Sequence, residues 1–422
     1  MAGSTNVVEE SQHKSRVYAD ALVDLEKTPK YPQGDLYSNY EIIEWIHCKD
    51  NQCSFQSMDD IKPITPLTYP NNTDTFIKLK DLKKPKEDSS ISNMKLEVLN
   101  KIGKGRYSDV YKAVDVATDK DYVIKFLKPI RRKRIFREIL ILNNLNLKNP
   151  YVKVNKFIDV NFNYYNQDAA LVRKYYMKEH NGKDNVILLD HYEISNSDQY
   201  KLIFESAVDC NFRNLNFTKM KLKKYTWELL KGLDYIHSMG IMHRDIKPYN
   251  VCYDYENDKL KIIDFGLAEF YYPLAEHNVR VASRVYKSPE LLVNYKKYDY
   301  SLDLWSLGCI LAALVFQKDP FFHGKDNNDQ LLKIIKILGT DDLFSYMEKY
   351  GIRLQGEIKQ MVEDFPYYPK KSWRKLAVEK CNKELFDSEF VDFIDGLLCY
   401  DHQIRLTARE AMMMSWLDAV RE

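Results

Sequence analysis

From Lys95 onward the chain alternates short apolar stretches with polar breaks. LEVLNKIG, DVYKAV and YVIKFL are rich in β-formers and divided by Gly-containing or polar turns, which predicts an antiparallel sheet. From Arg131 the apolar spacing becomes helical, with Ile135, Ile139, Leu142 and Leu145 on one face. NVILLDHYEI and QYKLIFES predict further strands, and after Phe212 the pattern is mostly helical, as in KLKKYTWELLKGLDYIHSMG and SLDLWSLGCILAALVF. Strands first and helices later predict an α+β chain, a small β-rich unit followed by a larger α-helical one. Residues 148–184 are polar and rich in Tyr and Asn and read as an insertion. Before about residue 92 the rhythm is absent: Pro-bearing stretches (KTPKYPQGD, KPITPLTYPNNTD) predict irregular structure with one docked apolar-aromatic piece, Tyr40 to Trp45. The expected division is 1–92, 93–206 and 207–422.

Composition narrows the class. The 422 residues carry 63 Lys+Arg against 61 Asp+Glu, a formal net charge of +2, with 45% hydrophobic and 29% charged residues, as in soluble globular proteins. The longest apolar run, Leu304 to Phe316, is shorter than the ~20 residues a bilayer span needs, and the N-terminus lacks the apolar core of a secretory signal. Seven scattered cysteines make no disulfide framework and suggest a reducing compartment. Cys48 and Cys53 form at best half of a metal site. The near-zero net charge hides a local excess. KFLKPIRRKRIFR, Lys125 to Arg137, holds seven basic residues and no acid, and Arg280, Arg284 and Lys287 form a second basic set.

The chemistry-bearing residues come in order. Gly103, Lys104, Gly105, Arg106, Tyr107, Ser108, Asp109 and Val110 lie between two predicted strands, where glycines would let backbone N–H groups approach phosphate oxygens. Alone, the run could equally be an ordinary hairpin turn. Lys125 ends an apolar strand and Glu138 follows on the amphipathic helix, a spacing that could hold the ammonium against phosphates or leave it simply solvated. The decisive stretch is His243-Arg-Asp245-Ile-Lys247-Pro-Tyr-Asn250, followed nineteen residues after Asp245 by Asp264-Phe-Gly266. Phosphoryl transfer needs a carboxylate at the nucleophilic hydroxyl, oxygen ligands for Mg²⁺ and a cation on the transferring phosphate. Asp245, then Asn250 with Asp264, then Lys247 match those needs at the protein-kinase spacing.

On these motifs the chain resembles eukaryotic protein kinases from about Leu96 to its C-terminus, which implies a bilobal fold. More closely it resembles the catalytic (alpha) subunits of casein kinase II, fungal ones in particular. The runs that carry this are GKGRYSDV, IKFLKPIRRKRIFREILIL, HSMGIMHRDIKPYNV, EHNVRVASR, SPELLVNYKKYDYSLDLWSLGC, DPFFHG and LLCYDHQIRLTAREAM. The resemblance implies Lys125 paired with Glu138 at the nucleotide phosphates. It places Ile102, Val110, Val123, Phe204, Ser206, Ala207, Cys252 and Ile263 around a base of ATP or GTP, with Glu205 and Ala207 as hinge. It implies Mg²⁺ on Asn250 and Asp264, Asp303 anchoring the backbone at His243 and Arg244, and a Glu290–Arg405 pair. Substrates would be Ser or Thr followed by acids, read by Lys128, Arg131, Arg132, Lys133, Arg134, Arg280, Arg284 and Lys287.

The same resemblance implies constitutive activity, with no Thr between Asp264 and Glu290 and an N-terminal segment packed on the activation segment. It also implies a heterotetramer with two regulatory beta subunits on the outer sheet face, for which Val98, Tyr111 and Phe126 are candidates, and a nuclear and cytoplasmic location. The 131–134 run could instead be a solvated helix face, an import signal or a polyanion site. No membrane is implied and no specific nucleic acid, because interleaved aromatic platforms are missing there. Three departures stand out: Phe265 replaces a Trp, which is expected to loosen the Asp264 motif, Tyr249 replaces a His, and Ser288 replaces a Gly. A kinase-shaped scaffold without turnover is the alternative class.

Overall fold

The computed structural model describes residues 95–421, except 106, 130–131, 147–181, 195–199, 210–211, 213–214, 272–274 and 365, and excluding the side chains of 132, 133, 146 and 363. The N-terminal segment expected to dock on the activation segment lies outside the described residues.

The first lobe is a five-stranded antiparallel sheet. Its strands are β1 (Leu96–Lys104), β2 (Ser108–Asp115), β3 (Lys120–Leu127), β4 (Leu189–Ile194) and β5 (Tyr200–Glu205), in the order β1-β2-β3-β5-β4. Each expected strand segment contributes a strand to it, although NVILLDHYEI enters the sheet only from Leu189. Asp115 closes the β2–β3 turn by accepting from the Thr118 hydroxyl at 2.6 Å and the Ala117 N–H at 3.3 Å. Register sets two features of the site: Val110 faces Lys125 across β2–β3, and Val123 faces Phe204 across β3–β5. Helix α1 (Arg132–Asn146) crosses this sheet. Its predicted face, Ile135, Ile139, Leu142 and Leu145, is buried, but so are Leu140 and Ile141. The helix is covered on more than one side because it sits between the sheet and the second lobe, whose Tyr235 hydroxyl donates to the Leu145 carbonyl at 2.7 Å.

The second lobe is helical, built on α2 (Lys219–Ser238) and, after the short α3 (Pro289–Leu292), on α4 (Ser301–Val315). Helices α5 (Asn327–Leu338), α6 (Asp341–Lys349), α7 (Glu357–Glu363), α8 (Trp373–Glu379), α9 (Ser388–Leu397) and α10 (Ala408–Met412) follow. Helix α2 starts at Thr218, whose hydroxyl accepts from the Lys221 N–H at 3.3 Å, a standard N-cap. Two small two-stranded ladders carry the chemistry: β6 (Ile241–Met242) with β9 (Glu269–Phe270), and β7 (Val251–Asp254) with β8 (Lys259–Ile262). One hydrophobic cluster runs from Ile139 and Leu142 through Leu229 and Trp305 to Trp416, so both lobes share a core. The fold is therefore the expected bilobal α+β one.

One boundary differs. Residues 182–185 form a helical turn docked on α2, where a Cβ at Gly182 would lie 1.9 Å from the Lys231 carbonyl oxygen. The chain has rejoined the core by Gly182, two residues before the expected end of the insertion, because close backbone approach needs glycine and polarity alone does not reveal it.

Candidate active site

Two strands from the first lobe and two short ladders from the second bring the ordered motifs together. Lys125, near the end of β3, donates to Glu138 Oε1 on α1 at 2.6 Å and to Asp264 Oδ1 at 2.8 Å. Burial pushes the Lys125 ammonium towards its neutral form, but Asp264 and Glu138 outweigh it and the net shift is upward. Lys125 also pulls the Asp264 carboxyl down to about 2, against burial. Burial raises Glu138, whereas Lys125 acts to lower it. The cluster holds one ammonium between two carboxylates.

The catalytic loop is fixed from beneath. Asp303 on α4 is fully buried and accepts the His243 N–H at 2.9 Å on Oδ2 and the Arg244 N–H at 2.8 Å on Oδ1. His237 Nε2 lies 2.9 Å from the same Oδ2, and these partners hold the Asp303 carboxyl low despite its burial. Arg244 itself takes a left-handed φ of 65°, a conformation uncommon for a non-Gly residue. The Asp303 grip on both flanking N–H groups maintains it, as the resemblance predicts. His243 Nε2 lies 3.0 Å from the Ile263 carbonyl and its Nδ1 accepts the Asp245 N–H at 3.3 Å, consistent with a neutral Nε2–H ring.

Above this platform, Asp245 is ringed by donors. Lys247 Nζ lies 2.5 Å from Oδ2, Asn250 Nδ2 donates to Oδ2 at 3.0 Å, and the Ser283 N–H and hydroxyl donate to Oδ1 at 3.1 and 3.0 Å. Asn250 Nδ2 also donates to the Asp245 carbonyl at 2.8 Å, so the amide nitrogen is engaged and its oxygen remains for another ligand. Ser283 lies between the expected substrate-reading residues Arg280 and Arg284. Its side chain also accepts from Lys247 at 3.1 Å, making it part of the same network.

The glycine-bearing turn is pinned by β3. The Gly105 N–H donates to the Ser108 carbonyl at 2.8 Å and the Lys128 N–H to the Tyr107 carbonyl at 2.9 Å. A Cβ at Gly103 would meet Val110 at 3.4 Å, ordinary contact, so packing within the chain does not demand glycine there. Arg106 lies outside the described residues, Lys104 is exposed, and Asp109 Oδ1 lies 3.0 Å from the Lys101 ammonium. Of the expected base-lining residues, Phe204 is buried, Val110, Val123, Ala207, Cys252 and Ile263 are half-buried, and Ile102 and Ser206 are exposed. Burial pushes the Cys252 thiol up to about 12, so it behaves as an apolar surface. The Glu205 carboxylate accepts the Leu188 N–H at 2.9 Å and meets Lys261 of β8 at 2.7 Å, tying the hinge to the second lobe.

Three expectations need correcting. Lys287 is only 8% exposed and donates to the Val279 and Val281 carbonyls, because the segment folds over it, so it does not stand out as the open surface cation that was expected. Lys128 turns back to the Gly105 carbonyl in the β1–β2 turn at 2.8 Å and to Asp109 of β2 at 3.3 Å, since both oxygens lie within its reach. Phe265 is 1% exposed with its ring 4.9 Å from His243, so packing holds the Asp264 motif where a looser one was expected. Arg280 and Arg284 are exposed, the latter donating to the Lys325 carbonyl. Arg134 is exposed with its guanidinium 5.8 Å from the Tyr107 ring. Arg131 and the side chains of Arg132 and Lys133 lie outside the description. Tyr249 is 65% exposed beside the loop.

One group escaped the sequence reading. Glu269, on β9, accepts from Arg137 of α1 and lies 3.6 Å from Arg244 Nη2, while Arg244 also donates to the Leu267 carbonyl at 2.8 Å and the Tyr298 hydroxyl at 3.0 Å. Nothing local to Glu269 announces two arginine partners, one from each lobe.

A glycine-bearing turn between two strands, a lysine held by two carboxylates and an aspartate ringed by donors are the working parts of a bilobal phosphotransferase. The protein kinase domain matches residues 96–417, and the chain belongs to the protein kinase family. Members of that family transfer phosphate from ATP with a divalent metal ion.

Proposed function

We propose that this chain is a constitutively active, acidophilic protein serine/threonine kinase, the catalytic subunit of a casein kinase II-like holoenzyme, using ATP or GTP with Mg²⁺. The observation that carries the kinase chemistry is the set of four donors on Asp245, which fixes its carboxylate at the position of an incoming hydroxyl. Asp245 orients that hydroxyl and takes its proton as the new O–P bond forms and the nucleoside diphosphate leaves. Lys247 stabilises the charge on the transferring group, and Lys125 holds the phosphates behind it.

The residues fit a hard cation. Asp264 has a carboxylate oxygen beyond the one Lys125 occupies, and Asn250 has its amide oxygen. No trio of His, Cys, Asp or Glu stands together among the described residues, so these two would hold the ion alongside phosphate oxygens. When bound, the ion neutralises charge on those oxygens. The small glycine-bearing turn and the neutral Cys252 surface suit a phosphate chain and a base.

Acid preference is supported by the exposed Arg280 and Arg284 near Ser283 and by Arg134 beside the glycine turn. Such a wall also suits polyanions. Constitutive activity is supported by Glu269, whose carboxylate already occupies Arg137 and Arg244 where an added phosphate would otherwise be needed. Regulatory-subunit docking rests on the resemblance and on Val98, 45% exposed on β1. Tyr111 and Phe126 pack edge to face at 5.3 Å beneath Lys101 and Lys201, a more covered surface than expected. Nuclear and cytoplasmic residence rests on the resemblance alone; among the described residues no helix is long and apolar enough to cross a membrane.

The test is phosphate transfer from labelled ATP to an acidic Ser-rich peptide, beside an Arg-rich control, with no activating kinase added. Transfer to the acidic peptide alone is expected. Transfer to neither peptide despite Mg²⁺-ATP binding would favour a scaffold, and preference for the Arg-rich peptide would reverse the role given to the basic wall.

A further inference from the structure

Where the two lobes meet, three stretches of chain converge on one carboxylate. Glu205, the last residue of β5, donates its N–H to the Leu188 carbonyl at 3.1 Å, and its Oε1 accepts the Leu188 N–H at 2.9 Å. One residue before Leu188, the Ile187 N–H donates to the Ile262 carbonyl of β8 at 3.1 Å, which ties segment 186–188 to the second lobe. Lys261, beside Ile262, closes the triangle. Its ammonium lies 2.7 Å from the same Glu205 Oε1 and 3.5 Å from the Val186 carbonyl. Alternation along the β7–β8 ladder aims it there. Val251, Tyr253, Leu260 and Ile262 are buried, which turns Cys252 and its cross-strand partner Lys261 to the opposite face. Lys261 thus shares a face with one of the expected base-lining residues.

We propose that Lys261 is a positioning residue for the nucleotide: by holding the Glu205 carboxylate against segment 186–188, it fixes the spacing between the hinge and the Cys252 floor and so sets how tightly the cleft grips a base. The inference rests on the kinase reading above and adds to it a residue that acts through the hinge. An ammonium suits the task because its three N–H donors fan out and reach a carboxylate on one side and a carbonyl on the other. The two side chains are 28% and 25% exposed, so water screens the pair and its weight in overall stability is small. Its effect is on geometry, where a slight displacement of a binding surface is felt in affinity.

The experiment uses the full chain, with titration of a fluorescent ATP analogue and peptide phosphorylation measured side by side. Lys261→Met is expected to weaken nucleotide binding and raise KM for ATP about fivefold, with kcat and KM for the peptide within about twofold of wild type. Lys261→Arg, which keeps the charge, is expected to restore most of the affinity. Glu205→Gln keeps an oxygen for the Leu188 N–H and loses only the charge, so its effect and that of Lys261→Met should overlap. The double variant then binds nucleotide no more weakly than the worse single one. The proposal is overturned if Lys261→Met binds nucleotide like wild type per folded molecule, if Arg fails to rescue, or if the two substitutions add in full. Wild-type protein that binds no ATP would instead sink the kinase reading beneath it.

Discussion

The catalytic loop and the basic wall are both rich in charge, yet they are built differently. In the loop, each ionic group answers to several partners: Asp303 holds two N–H groups and a histidine, and Asp245 holds four donors. Arg405 lies fully buried in a two-pronged pair with Glu290 at 2.8 and 3.0 Å, with further bonds to the Ser301, Cys399 and Tyr400 carbonyls. In the wall, the residues drawn together by charge alone scatter to separate duties. Lys287 donates to two carbonyls of its own segment and Lys128 ties down the glycine turn, while among the described side chains of the set Arg280, Arg284 and Arg134 are exposed. Local charge density is therefore a poor guide to function, whereas multiplicity of partners is a good one. A buried charge without a partner is costly, so the fold finds work for every cation it covers.

The contrast can be broken from either side. Asp245→Asn should cut kcat by about 10³-fold while the melting temperature barely moves; wild-type turnover in that variant would remove Asp245 from its role. Arg405→Met strands Glu290 in the core and should cost about 3–5 kcal/mol in chemical unfolding, with kcat per folded molecule unchanged. Unfolding at wild-type denaturant would mean that the pair contributes little. On the wall, Arg280→Ala with Arg284→Ala should raise KM for an acidic peptide about five- to tenfold and leave stability nearly untouched, since both groups are exposed. Equal loss on a neutral peptide would contradict a charge-reading role.

The smallest effect is a matter of pH. Asp264 is held at about 2 in the fold against an ordinary 3.8, so its bond to Lys125 stabilises the protein fully above about pH 4 and fades as pH falls toward 2. Wild-type melting temperature should therefore drop more steeply between pH 5 and 3 than that of Asp264→Asn. Parallel slopes would show that the partly exposed ion pair is screened by water.

The strands, helix α1 and the Asp245 and Asp264 motifs were legible because each rests on local periodicity or on residues a few positions apart. The Glu290–Arg405 and Asp303 contacts were legible only through resemblance, since they join residues 115 and about 60 positions apart. What stayed hidden depends on burial. Lys287 reads as one more surface cation until the chain folds over it, and Phe265 reads as a lost hydrogen bond until its ring is seen against His243. Gly182 was hidden for a related reason: its neighbour in space, Lys231, is far along the chain.

Glu269 sets how such an enzyme can be governed. A carboxylate written into the sequence between Arg137 and Arg244 is present from the moment the chain folds, and no phosphatase can remove it. An enzyme switched by a reversible mark can be silenced in place, within seconds, and woken again. On the constitutive reading proposed above, Glu269 takes the place of that dial. If the activity is constitutive as proposed, a cell wishing to change its output is left with slower and coarser means: how many copies it makes, where it sends them, and which substrates it lets them meet.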